Sequence, residues 1–177
     1  MRRVLFLFLM AAVAAPAQEI HQSIDWAKLA AKAVESVDVN LDANLLSLTA
    51  KFLSGDKPEE AKLKQAVGNI KGIYVKSLTF EKEGEYSMAD VDKIRALLKP
   101  PQWSKVVDIQ SKKGGDNAGV FMRIEGDQIR GMVVLAFEPK ELTVVNIVGT
   151  VDTDFIREFG GKLGIPKIEL EKKSPKR

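Results

Sequence analysis

Residues 118–150 constrain the fold more than any other stretch of this chain. Three apolar runs, at 119–125, 129–137 and 142–149, are separated by the turn signals Gly126-Asp127 and Pro139-Lys140. Runs rich in Val and Ile with two-residue connections predict an antiparallel β-meander, and a glycine in the first loop position suits the twist of a tight hairpin. With those loops in place, Ile124 faces Ile129, Met122 faces Gly131 and Val120 faces Val133 across the first hairpin. Across the second, Phe137 faces Leu142, Leu135 faces Val144 and Val133 faces Asn146.

Successive side chains of a strand point to opposite faces, so this pairing sorts the meander into two sets. The first face collects Val120, Met122, Ile124, Ile129, Val133, Leu135, Phe137, Leu142, Val144 and Val148, with Asn146 as a buried amide in its middle. The second collects Phe121, Arg123, Arg130, Met132, Val134, Ala136, Thr143, Val145 and Ile147. A solvated antiparallel face normally alternates to polar. This second face is apolar in its middle, and Arg123 and Arg130 make one end cationic as cross-strand neighbours. Three covers stay open for it: the N-terminal helices, a protein partner (a second copy or another envelope protein), or a small amphipathic, lipophilic or anionic ligand anchored by the arginines. Phe121, Arg123, Arg130, Met132, Val134, Val145 and Ile147 are therefore the candidate partner or ligand face.

The N-terminus predicts export. Arg2 and Arg3 precede an apolar run over 4–13, and Ala15-Pro16-Ala17 matches a small-x-small cleavage site, which makes 1–17 a signal peptide and Gln18 the mature start. About ten apolar residues are too few for a membrane span, which needs about 20. No later run is long enough to span either. Cysteine is absent, so a mature exported chain would rest on its core without disulfides, and a bacterial periplasmic or secreted location follows. Residues 18–170 carry 21 basic and 23 acidic side chains. The formal charge of +3 thus belongs to the two ends, and nucleic-acid binding through a basic surface has no support.

The length of 177 residues and the 45% apolar content fit one domain over 18–170, with a helical first part at about 25–70 and a sheet-containing part at about 71–170. Residues 18–24 read as a flexible entry. Asp25 caps a predicted helix over 26–34, whose buried face is Trp26, Leu29, Ala30, Ala33 and Val34. Residues 37–41 are a short strand or an extended link. Asp42 caps a second helix over 43–53 with Leu45, Leu48, Thr49 and Phe52 as its buried stripe. Pro58 opens a third, in which Leu63, Val67 and Ile70 recur at helical spacing and Gly68 and Gly72 fray its end. Residues 73–80 form a strand with a bulge near Ser77, which would bring Val75, Leu78 and Phe80 to one face. Ser87 and Asp90 resemble a capping box for a helix that buries Val91, Ile94, Leu97 and Leu98 and ends before Pro100-Pro101. Residues 103–109 are the next strand. Asp152 caps a last helix across Phe155, Ile156 and Phe159, ended by Gly160-Gly161, and the basic tail 171–177 is expected to be disordered. The architecture expected is α+β, an antiparallel sheet of four or five strands packed with helices. The helix at 91–98 and the one at 155–159 are expected over the first face.

Residues capable of chemistry are few. His21 is the lone histidine, near the start of the mature chain, and forms no Ser-His or Cys-His pair. Asp152 with Asp154, and Glu138 with Glu141, are the carboxylate pairs, but the first reads as a helix cap with a first-turn acid and the second as cross-hairpin neighbours. The stretch 112–117, Lys-Lys-Gly-Gly-Asp-Asn, lacks phosphate-loop spacing and leads into a strand. The glycines at 160, 161 and 164 read as a helix end and a turn. Asp116, Asn117, Asp152 and Asp154 do not have the spacing of a calcium loop. No catalytic residue, metal ligand or cofactor is assigned.

Trp103-Ser-Lys-Val-Val, the run 131–149 and Gly160-Gly-Lys-Leu-Gly-Ile-Pro166, together with Gly72-Ile-Tyr-Val and Tyr86-Ser, resemble a family of exported bacterial proteins catalogued as domain of unknown function 4252. The resemblance implies an envelope protein of this size and brings no activity or site residues with it. The function expected is non-catalytic, through protein–protein contacts in the cell envelope in a regulatory setting. The alternative is the ligand-binding face above, and an unrecognised hydrolase comes third.

Overall fold

The computed structural model describes residues 19–52, 58–111, 115–152 and 155–156. Among them lie β1 (Glu35–Asp42), β2 (Ile70–Thr79), β3 (Ser104–Ile109), β4 (Asn117–Glu125), β5 (Gln128–Glu138) and β6 (Glu141–Val151). The helices are α1 (Glu19–Ser23), α2 (Trp26–Ala30), α3 (Ala43–Phe52), α4 (Pro58–Gly68) and α5 (Met88–Leu97). The fold is α+β, and its sheet has six strands rather than four or five. All pairings are antiparallel, in the order β1-β2-β6-β5-β4-β3.

The meander forms where the turn signals place it, and Gly126 has a φ of 64°. In the second hairpin Phe137, Leu135 and Val133 face Leu142, Val144 and Asn146 as expected. The first hairpin keeps Ile124 opposite Ile129 but then shifts, so that Arg123 faces Gly131, Met122 faces Met132 and Val120 faces Val134. Arg130 is the cause. It is one residue in excess on β5, a bulge that exchanges the faces of β4 beyond it. Phe121 consequently joins Val133, Leu135, Phe137, Leu142 and Val144 on the first face. Val120 and Met122 move to the second, with Met132, Val134, Val145 and Ile147.

The two cores lie on opposite sides of the sheet. Over the first face, α5 contributes Val91, Ile94 and Leu98, joined by Ile20 of α1, Leu29 of α2, Phe80, Tyr86 and Trp103. The capping box of α5 is real: Ser87 N–H donates to Asp90 Oδ2 at 3.1 Å and the Ser87 hydroxyl at 2.8 Å. The Ser87 hydroxyl bond is the main reason the Asp90 carboxyl is held below its usual range. Over the second face pack Leu46 of α3, Phe155 and Ile156. Phe155 and Ile156 thus cover the face opposite to the one expected. Asp152 does cap that turn, accepting from Phe155 N–H at 2.7 Å.

Other differences have local causes. Residues 19–23 are helical rather than an open entry, because Ile20 is buried in the first core. Helix α2 stops at Ala30, its cap Asp25 accepting from Lys28 N–H at 3.2 Å, and Val34 is 64% exposed instead of packed. Residues 35–42 are a full edge strand, paired to β2 along its length. Ile70 opens β2 rather than ending α4. The irregularity of β2 falls at Lys71, not Ser77, which leaves Val75 on the second face while Leu78 and Phe80 lie on the first. Leu97 of α5 is partly exposed. Phe159, Gly160, Gly161 and the tail 171–177 lie outside the described residues. Among the described residues no helix is long and apolar enough to cross a membrane.

Candidate functional site

Registers across the sheet stack residues of the first face in rows. One row runs Leu78, Leu142, Phe137 and is covered by α5. The next holds Lys76, Val144 and Leu135; Lys76 is almost fully buried and pairs with Asp38 of β1 at 3.0 Å. A third holds Tyr74, Asn146, Val133 and Phe121, with Asn146 fully buried. The last holds Asp42, Gly72, Val148, Gly131 and Arg123. Large side chains give way to glycine at two of its five positions, and among the described residues the first core does not extend to this row. The Tyr74 ring leans along its own strand over Gly72, where an added Cβ would lie 2.7 Å from the ring. His21 stacks against that ring at 5.5 Å between centroids, and its carbonyl accepts from the Trp26 indole N–H at 2.9 Å. Its place is structural packing at the edge of the helix layer.

Beyond Tyr74 a cleft of about 690 Å³ opens, lined by Asp42, Ala43, Asn44, Lys71, Tyr74, Arg123, Glu125, Arg130, Val148, Gly149 and Thr150. Every strand irregularity of β2, β5 and β6 lies at this end. Lys71 is in excess on β2 between Ile70 and Gly72, Arg130 is in excess on β5, and β6 answers Arg130 with Gly149 and Thr150. Gly149 has a φ of 122°, and an added Cβ would sit 2.5 Å from the Asn69 carbonyl, so glycine is required there. A bulge residue leaves the in–out alternation and re-aims its side chain. That is how cations from two strands reach one hollow. Arg123 Nη2 is 3.1 Å from Glu125 Oε1, and Arg130 Nη1 donates to Thr150 Oγ1 at 3.0 Å. Asp42 caps α3, accepting from Leu45 N–H at 2.9 Å.

The candidate face read from sequence is therefore divided. Met132, Val134, Val145 and Ile147 are at most 1% exposed and belong to the second core, covered by α3, Phe155 and Ile156. Phe121 is buried on the opposite face. Only Arg123 and Arg130 line an open site, and they do so at the bulged end. Lys71 was missed. Its signal is the glycine that follows it: Lys71-Gly72 and Arg130-Gly131 both place a glycine after a cation inside a strand, a mark of bulges.

The carboxylate candidates sort differently. Glu138 faces Glu141 across the Pro139-Lys140 turn. Burial, reinforced by the charges of Asp116 and Glu141, pushes the Glu138 carboxyl up. The Tyr86 hydroxyl donates to the carbonyls of Glu138 and Glu141, the latter at 3.1 Å, and burial first, then the Glu138 charge, raises the phenol to about 12. This is a staple between the turn and the helix layer. Asp154, residues 112–114 and residues 160–164 fall outside the described residues. Among the described residues no group of three or more Asp, Glu or His side chains converges in a way that could hold a metal.

The family model for a domain of unknown function, DUF4252, matches residues 31–159. The chain belongs to that family. Its matched span takes in β1 to β6, α5 and all of the cleft-lining residues. No curated protein and no solved structure matches.

Proposed function

We propose that this DUF4252 protein is exported, non-catalytic, and acts by holding another protein of the cell envelope. One observation carries the reading. Helix α3 turns Leu46 into the second core, while Leu45, Leu48 and Phe52 are 45%, 49% and 81% exposed. The apolar stripe expected to be its buried side is thus its outer side. Val34 and Val37, at 64% and 43% exposed, lie at the same edge of the sheet, on and before β1. Exposed apolar side chains grouped in this way mark partner sites. The spacing of Leu45, Leu48 and Phe52 gives a helix-in-groove ridge.

The partner that fits is another protein rather than a second copy. Strand β1 carries Glu35, Asp38 and Asp42 and no cation. Pairing it antiparallel with itself would set acids against acids, which is destabilising. An apolar segment flanked by Lys or Arg suits it. A photo-crosslinking residue at Leu48, in the producing bacterium, should give one discrete adduct that disappears with Leu45→Glu and is absent with the crosslinker at Lys93. Light scattering should give a monomer. A stable dimer, or an adduct indifferent to Leu45→Glu, would overturn the proposal. Export is tested separately by the mass of the mature protein, which should begin at Gln18.

A further inference from the structure

The bulged end of the first face carries a second site, independent of the α3 ridge. We propose that the cleft binds a small organic anion, its oxyanion head held between Lys71 and Arg130 and its apolar body lying against Tyr74, Ala43 and Val148.

The argument starts from the backbone. Lys71 and Arg130 are the extra residues of two bulges in strands on either side of β6, and both side chains line one cleft. Both residues are exposed. The acids of the cleft have work already: Asp42 caps α3 and Glu125 holds Arg123. Among the described residues Lys71 has no ion pair, and Arg130 makes one hydrogen bond, to Thr150, which leaves most of its donors facing the cleft. Arg123 Nε is buried without an acceptor. The first turn of α3, at Ala43 and Asn44, lines the cleft beside its cap Asp42, so that the helix end offsets the charge of that acid. A volume of about 690 Å³ lies in the range of about 300–1,000 Å³ typical of organic ligand sites, far larger than a bare inorganic ion needs. Carboxylates and phosphates share the oxyanion chemistry that a Lys and an Arg recognise.

Calorimetric titration of the purified protein decides the matter, with 4-phenylbutyrate, phenyl phosphate, inorganic phosphate and the uncharged 4-phenylbutanol as probes. Saturable binding is expected for at least one of the two organic anions, weaker binding for inorganic phosphate, and none for the alcohol. The tighter of the two organic anions identifies the head group. Lys71→Ala and Arg130→Gln should each lower affinity about tenfold or more, the scale of a lost charge-assisted hydrogen bond, and added salt should weaken binding. Lys93→Ala, on the outside of α5, should change nothing. If Arg130→Gln disturbs folding, Lys71→Ala still decides, because that side chain holds no ion pair. Binding of the alcohol as tight as the acid, unchanged affinity in both variants, or no saturation with either organic anion would each overturn the proposal.

Discussion

The two ends of the sheet's first face are made by the same strands and behave as opposites. Near the Pro139-Lys140 turn, β2, β5 and β6 present Leu78, Phe137 and Leu142 in regular register beneath α5. Six residues along the same strands, they present Gly72, Gly131 and Val148, the register slips in each of them, and among the described residues α5 no longer covers them. Register is pinned where a face is buried, because a slip would turn apolar side chains outward. Where the cover of the first face ends, the second core alone holds the register, with Ile70, Ile147 and Val151 still buried, and bulges can aim charged side chains into the cleft. The contrast teaches that the stable end and the adaptable end of this protein are set by where the helix layer stops.

The sharpest test of that contrast is to delete apolar volume at the covered end. Ile94→Ala or Leu78→Ala should lower stability by about 2–5 kcal/mol, read from urea unfolding, whereas Lys71→Ala should stay within about 0.5 kcal/mol. Equal losses at the two ends would break the comparison. Next in size is Tyr86→Phe, which removes the hydroxyl bridging α5's approach to the turn and should cost about 1 kcal/mol. Its pH signature is distinctive. The phenol is raised from 10.0 to about 12 in the fold, so the unfolded chain loses that proton first. Stability should therefore fall as pH rises from 10 towards 12, and Tyr86→Phe should lack that component.

At the bulged end, Asp42→Ala removes the α3 cap beside the cleft and should cost about 1 kcal/mol. It should also strengthen anion binding, since one acid leaves the cleft. The smallest effect belongs to Glu138→Gln. Burial and neighbouring acids raise the Glu138 carboxyl, so ionising it costs the folded state. The variant should be the more stable at neutral pH, and the gain should vanish in acid, where the carboxyl is protonated in both states. A loss at neutral pH would mean that Glu138 has a favourable partner.

Much of the covered end could be read from the residues. Two-residue turns and β-rich runs locate β4, β5 and β6, and the unbroken alternation of 133–137 against 142–146 fixes the second hairpin. Ser87 and Asp90 mark α5 through a contact three residues long. The bulged end was not legible in the same way, because one inserted residue changes every face assignment beyond it while leaving composition untouched. Helix α3 was misread for another reason. Apolar residues surround it at positions 45, 46, 48 and 52, so periodicity favours the longer stripe, whereas the tertiary fold buries Leu46. Local spacing cannot tell a ridge that meets the core from one that meets a partner.

Arg130 has one further consequence, for how this sequence can change. For the fold its side chain is replaceable, since it is exposed and hydrogen bonds to Thr150, whereas the proposed anion site depends on it. As a counted residue it is the one position of β5 that β4 leaves unpaired between Ile129 and Gly131. Deleting it would join the pairs Ile124–Ile129 and Arg123–Gly131 directly, leave Phe121, Val120 and Met122 on their present faces, and set Gly149 and Thr150 of β6 against no residue of β5. Loss of residue 130 should therefore be felt in the cleft and at β6 before it is felt in either core.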